Sequence, residues 1–72
     1  MVPIYDIFAG RYGDTDARWI QAVEGLGAAA DQMRRIAKIK RGPYFVFDAH
    51  AHRVLASVDT IAPAHRAAKK TA

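Results

Sequence analysis

The chain has 72 residues, no cysteine, and 11 Lys and Arg against 7 Asp and Glu, for a net charge of +4. One small core is all that length accommodates, and the missing cysteines exclude disulfide frameworks, cysteine zinc sites and thiol chemistry. Runs of about 18 apolar residues are absent, and the start, MVPIYDIFAG, lacks the parts of a secretory leader, so the expectation is a soluble cytoplasmic domain without a membrane role.

In chain order, IYDIFAG is β-branched or aromatic at most positions and predicts a strand. Arg11 to Asp16 is rich in turn formers. The segment ARWIQAVEG has two readings. As a strand, strict alternation puts Trp19, Gln21 and Val23 on one face. As a helix, Trp19, Val23, Leu26, Ala30, Met33 and Ala37 form one apolar seam, but Gly25 and Gly27 then sit inside it at about 1 kcal/mol each. The preferred reading breaks the chain at Gly25, with strand before and helix after.

From Leu26 to Arg41, the residues Leu26, Ala29, Ala30, Met33, Ile36 and Ala37 share one helical face, and Ile39 lies off it. Gly42-Pro43 is expected to end the helix, with the glycine as a left-handed cap. Tyr44-Phe45-Val46-Phe47 and Val54-Leu55-Ala56-Ser57-Val58 then read as a hairpin joined through Asp48 to Arg53. The order is β-β-α-β-β, with β-α-β-β as the fallback. Either is an α+β fold, the first with a four-stranded antiparallel sheet and one helix packed on one face.

A single helix covers a single face of such a sheet, and the other face is then ordinarily polar. Here both alternating sets of strand residues are apolar, which marks an interaction surface. The simplest occupant is a second copy in a twofold homodimer. Tyr5, Ile7, Phe8, Trp19, Tyr44 and Val46 are the interface candidates, with the outward-facing parity left open. The resulting function is a small non-catalytic binding module.

The charge is unevenly spread. Residues 1–33 hold Asp6, Asp14, Asp16, Glu24 and Asp31 against Arg11 and Arg18. Residues 34–41 hold Arg34, Arg35, Lys38, Lys40 and Arg41 and no acid. Residues 61–72 contain a single large aliphatic, Ile61, with Arg66, Lys69 and Lys70, and read as a flexible basic tail after a domain spanning 1–60. The alternative function is therefore nucleic-acid binding by Arg34, Arg35, Lys38, Lys40 and Arg41, extended by the tail. Against it, the bases lie on the helix side and the surplus aromatics on the other, so one nucleic-acid strand cannot use both.

The segments YDIFAG, RWIQAVEGL, GPYFVFD and VLASVDT, with Ala30 and Met33 between them, resemble short uncharacterised bacterial proteins of β-β-α-β-β pattern. The similarity covers roughly residues 3–60. It implies a helix entered from the Val-Glu-Gly-Leu turn, and it brings no activity, cofactor or site residue.

Catalytic signals are weak. Asp48, His50 and His52 alternate as metal ligands on a strand would, yet they fall where a turn is expected, and His65 lies in the tail. Asp14-Thr15-Asp16 is too short for a calcium loop. Ser57 and Thr60 offer hydroxyls without a nucleophile elbow, and no glycine loop for phosphate is present. The expectation is no enzyme, no metal and no cofactor.

Overall fold

The computed structural model describes residues 2–61; the expected tail beyond Ile61, with His65, lies outside the described residues. The elements are β1 (Ile4–Ala9), β2 (Arg18–Glu24), α1 (Leu26–Ile39), β3 (Pro43–Asp48) and β4 (Arg53–Asp59). They form one open antiparallel sheet of order β2-β1-β3-β4 with α1 against one face, an α+β fold in the order β-β-α-β-β.

Gly25 decides the ambiguous segment in favour of a strand followed by a helix. Its N–H donates to the Pro3 carbonyl at 2.8 Å, which extends the β1–β2 ladder, and its carbonyl accepts the Ala29 N–H at 3.0 Å, the first helical bond. One residue serves both elements only at a φ of +87°, which glycine adopts without a Cβ penalty. No side chain caps α1, and its first turn holds no acid. The helix is therefore held by packing rather than by local end signals.

Its C-terminus differs from expectation. The helix stops at Ile39, two residues before Arg41, with Lys40 already extended, and Gly42 is not in the left-handed region. Tertiary partners replace the glycine cap. The Tyr44 hydroxyl donates to the Lys40 carbonyl at 2.5 Å, and the buried Gly42 N–H donates to Thr60 Oγ1 at 2.9 Å.

The core is Ile7, Ala29, Met33, Ala37, Tyr44 and Val46, flanked by Tyr5, Ala9, Ile20, Val23, Ile36, Ala56 and Val58. Small Ala29 and Ala37 bring the helix close to the sheet, and Met33 fills the space between them. Burial of Ile7, Met33 and Val46 contributes about 1.5–3 kcal/mol each. Ile39, off the apolar stripe, is 87% exposed.

Both outer strands carry a bulge. Ile7 pairs with Gln21 and Phe8 with Trp19, so Ile20 is the extra residue in β2; Val46 pairs with Ala56 and Phe47 with Val54, so Leu55 is the extra residue in β4. An extra residue shifts the alternation of side chains. Strict alternation placed Trp19 with Gln21 and Val23, but Trp19 lies on the open face while Gln21 and Val23 lie under the helix. Bulges also twist the two free edges and blunt them against pairing with another strand.

Candidate functional site: the open face of the sheet

Cross-strand pairing settles which residues face away from the helix. Partners opposite one another in an antiparallel pair share a face. Two rows therefore cross the open face: Trp19, Phe8, Phe45 and Ser57, then Ala22, Asp6, Phe47 and Val54. Ile4 and Glu24 pair at the end of β1 and β2 on the same side.

The turn between β1 and β2 folds back over this face and places Tyr12 on the rings beneath. Phe8 stacks on Phe45 with centroids 5.0 Å apart and planes 6° apart, and Tyr12 stacks on Phe47 at 5.7 Å and 23°. The two stacks meet edge to face, with Phe8 at 90° to Phe47 and Tyr12 at 84° to Phe45. Such contacts add about 0.5–1.5 kcal/mol per pair beyond area burial. They leave Phe45 only 5% exposed although no helix covers it, while Tyr12 is 62% exposed. The face is thus a second small apolar layer, partly roofed by its own turn.

Two polar contacts frame the layer. Arg11 pairs with Asp59 and ties the turn to the end of β4. The Trp19 indole Nε1 donates to Asp6 Oδ1 at 3.1 Å, with the indole still 59% exposed. Beside the rings lies an open cleft of about 470 Å³, lined by Arg11, Tyr12, Phe45, Val54, Ser57 and Asp59 among others. Flat exposed rings beside a shallow apolar cleft suit contact with another apolar surface.

The interface candidates divide between the two faces. Phe8 and Trp19 are on the open face. Tyr5, Ile7, Tyr44 and Val46 are not; they lie under α1, where Ile7 and Val46 are fully buried. With Tyr44 facing the helix its hydroxyl reaches the Lys40 carbonyl, and strand pairing puts Val46, Ile7 and Tyr5 on the same side. Missing from the candidates were Tyr12, Phe45, Phe47 and Asp6. Asp6 was the available signal, since a carboxylate within a half-buried strand faces water and takes Ile4 and Phe8 with it.

The basic residues gather on the opposite side. Arg34 pairs with Asp31 at 3.2 Å, and Arg35 borders a shallow groove with Gln21 and Gln32. Lys38 occupies the last turn, Lys40 and Arg41 follow the helix, and Arg41 donates to the Thr60 carbonyl at 3.3 Å. The Asp48 carboxylate accepts the N–H of His50 at 2.9 Å and of Ala51 at 3.2 Å, which makes it the organiser of the β3–β4 turn. His52, at φ +57°, sits edge-on to Phe47. Among the described residues no group of three or more His, Cys, Asp or Glu side chains is placed to hold a metal ion, and no helix is long and apolar enough to cross a membrane.

The chain matches no family model, no curated protein and no solved structure.

Proposed function

We propose that the chain is a small non-catalytic interaction module that docks another protein surface through the open face of its sheet. The observation that carries this reading is a layer of aromatic rings without a covering helix, with Trp19 and Tyr12 more than half exposed at its rim. Exposed Trp and Tyr side chains on an apolar patch are enriched among the anchors of protein contacts. The bulged outer strands favour the face over the edges as the contact. Symmetry alone makes a second copy the simplest occupant.

Unfolding measurements on Trp19→Ala and Ile4→Ala test the reading, because these exposed side chains, unlike Tyr12, which contacts Phe45 and Phe47, are dispensable for folding if they serve docking. Each substitution is expected to change the unfolding free energy by less than about 1 kcal/mol. A loss above about 2 kcal/mol for both shows that these side chains serve the fold, and the docking reading fails. Sedimentation at micromolar to submillimolar concentration, on the same variants, reads self-association.

A further inference from the structure

We infer that the occupant of the open face is a cationic segment of a partner protein, its Lys or Arg side chains interleaved with apolar ones. This rests on the docking reading and specifies its partner. The reason is how the fold separates charge. The strands place Asp6, Glu24 and Asp59 on the open face and, among the described residues, no Lys or Arg. Arg11 reaches that face from the turn and is committed to Asp59. Arg18 and Arg53, by their pairing with Ala9 and Asp48, lie on the helix side with Arg34, Arg35, Lys38, Lys40 and Arg41. The open face of a chain of net charge +4 is therefore acidic.

Asp6 and Glu24 are diagonal neighbours across β1 and β2, bordered by Ile4, Phe8 and Trp19. Trp19 occupies Asp6 Oδ1, and among the described residues Oδ2 accepts no hydrogen bond. An ammonium or guanidinium placed there gains the carboxylate and the exposed indole face together. Apolar residues on either side of that cation meet Ile4 and Phe8. Elsewhere among the described residues Asp14, Asp16, Asp31 and Asp48 are outnumbered by Arg18, Arg34, Arg35, Lys38, Lys40, Arg41 and Arg53, so charge favours this face for a cationic partner. Twofold pairing of two copies through this face instead brings two acidic surfaces together, and like charges across an interface oppose binding.

Trp19 is the single tryptophan of the sequence and reports on its own site. The experiment titrates the full chain with a synthetic peptide of alternating Lys and Leu, and with its Glu and Leu counterpart, following tryptophan emission at low and at physiological salt. The Lys peptide is expected to shift the emission to shorter wavelength and to bind more weakly as salt rises. Affinity should fall about tenfold in Asp6→Asn/Glu24→Gln, where Asn keeps the acceptor for the indole. The exposed Glu24→Gln alone should show part of that loss and covers the case in which the double variant folds poorly. No emission change is expected with the Glu peptide. Equal responses to both peptides, or no effect of the variants, overturn the cationic occupant and leave docking intact. A stable dimer with Trp19 already shielded overturns it in favour of a second copy. A monomer whose Trp19 responds to neither peptide overturns both readings.

Discussion

Thr60 is where removal of one hydroxyl should cost most. Its Oγ1 accepts the Gly42 N–H at 2.9 Å, and its own proton lies within reach of the Ala37 and Gly42 carbonyls at 3.2 and 3.3 Å. Its backbone N–H donates to the Gly42 carbonyl at 3.0 Å. Ala37 contributes one of the four carbonyls that a helix end leaves without an internal partner. Thr60 thus joins the end of β4, the end of α1 and the entry to β3. Thr60→Val keeps the shape and deletes the hydroxyl. The buried Gly42 N–H then has no acceptor, a loss of about 1–3 kcal/mol. Loss of the donor to the helix-end carbonyl raises the total to about 2–3 kcal/mol, and each kcal/mol lowers the melting temperature of so small a domain by about 4–8 °C. Urea unfolding followed by circular dichroism reads this directly, with Thr60→Ser as the control that retains the hydroxyl. Thr60→Ser should stay within about 1 kcal/mol of the parent. If Thr60→Val unfolds within about 0.5 kcal/mol of the parent at unchanged m-value, the hydroxyl does not hold the helix end and the reasoning fails.

Two further substitutions test the turn that roofs the open face. Gly10 has φ +120°, and a Cβ there would lie 2.9 Å from the Ala17 Cα, so Gly10→Ala should cost at least about 2 kcal/mol in the same unfolding assay. Tyr12→Ala removes the ring that contacts Phe45 and Phe47 and should cost about 1–2 kcal/mol, whereas Tyr12→Phe keeps both ring contacts and should be neutral. A neutral Tyr12→Ala would mean that the turn does not cover the face in solution.

Element boundaries were legible because the residues that set them act locally. β-Branched and aromatic runs marked β1, β3 and β4, whereas Arg18–Glu24 read as strand or helix, with the break at Gly25 favouring the strand. The helix end was less legible, since Gly42 and the Ala37 carbonyl are met by Thr60, distant in sequence. For the two faces of the sheet the sequence held a single correct signal, Asp6, and a second acid opposed it. Both alternating sets are apolar, and the two acids that might decide between them disagree. Asp6 assigns its set to water, whereas Asp48 lies on the helix-side parity at the end of its strand, occupied by the turn. Four of the six interface candidates consequently lie under the helix, Ile7, Tyr44 and Val46 in the core and Tyr5 beside it.

Sequence alone determined the inventory of one helix, three strands with a fourth favoured, an excess of aromatics and a positive charge concentrated near the helix end. Tertiary structure decided what faces what. Ile7, Tyr44 and Val46 pack against the helix and mark the parity of the central strands, and the bulges at Ile20 and Leu55 shift it within the outer ones. A charge total has no direction until pairing fixes the side on which each residue lies. Once it does, the charges of the described residues divide into a basic helix side and an acidic, aromatic sheet face.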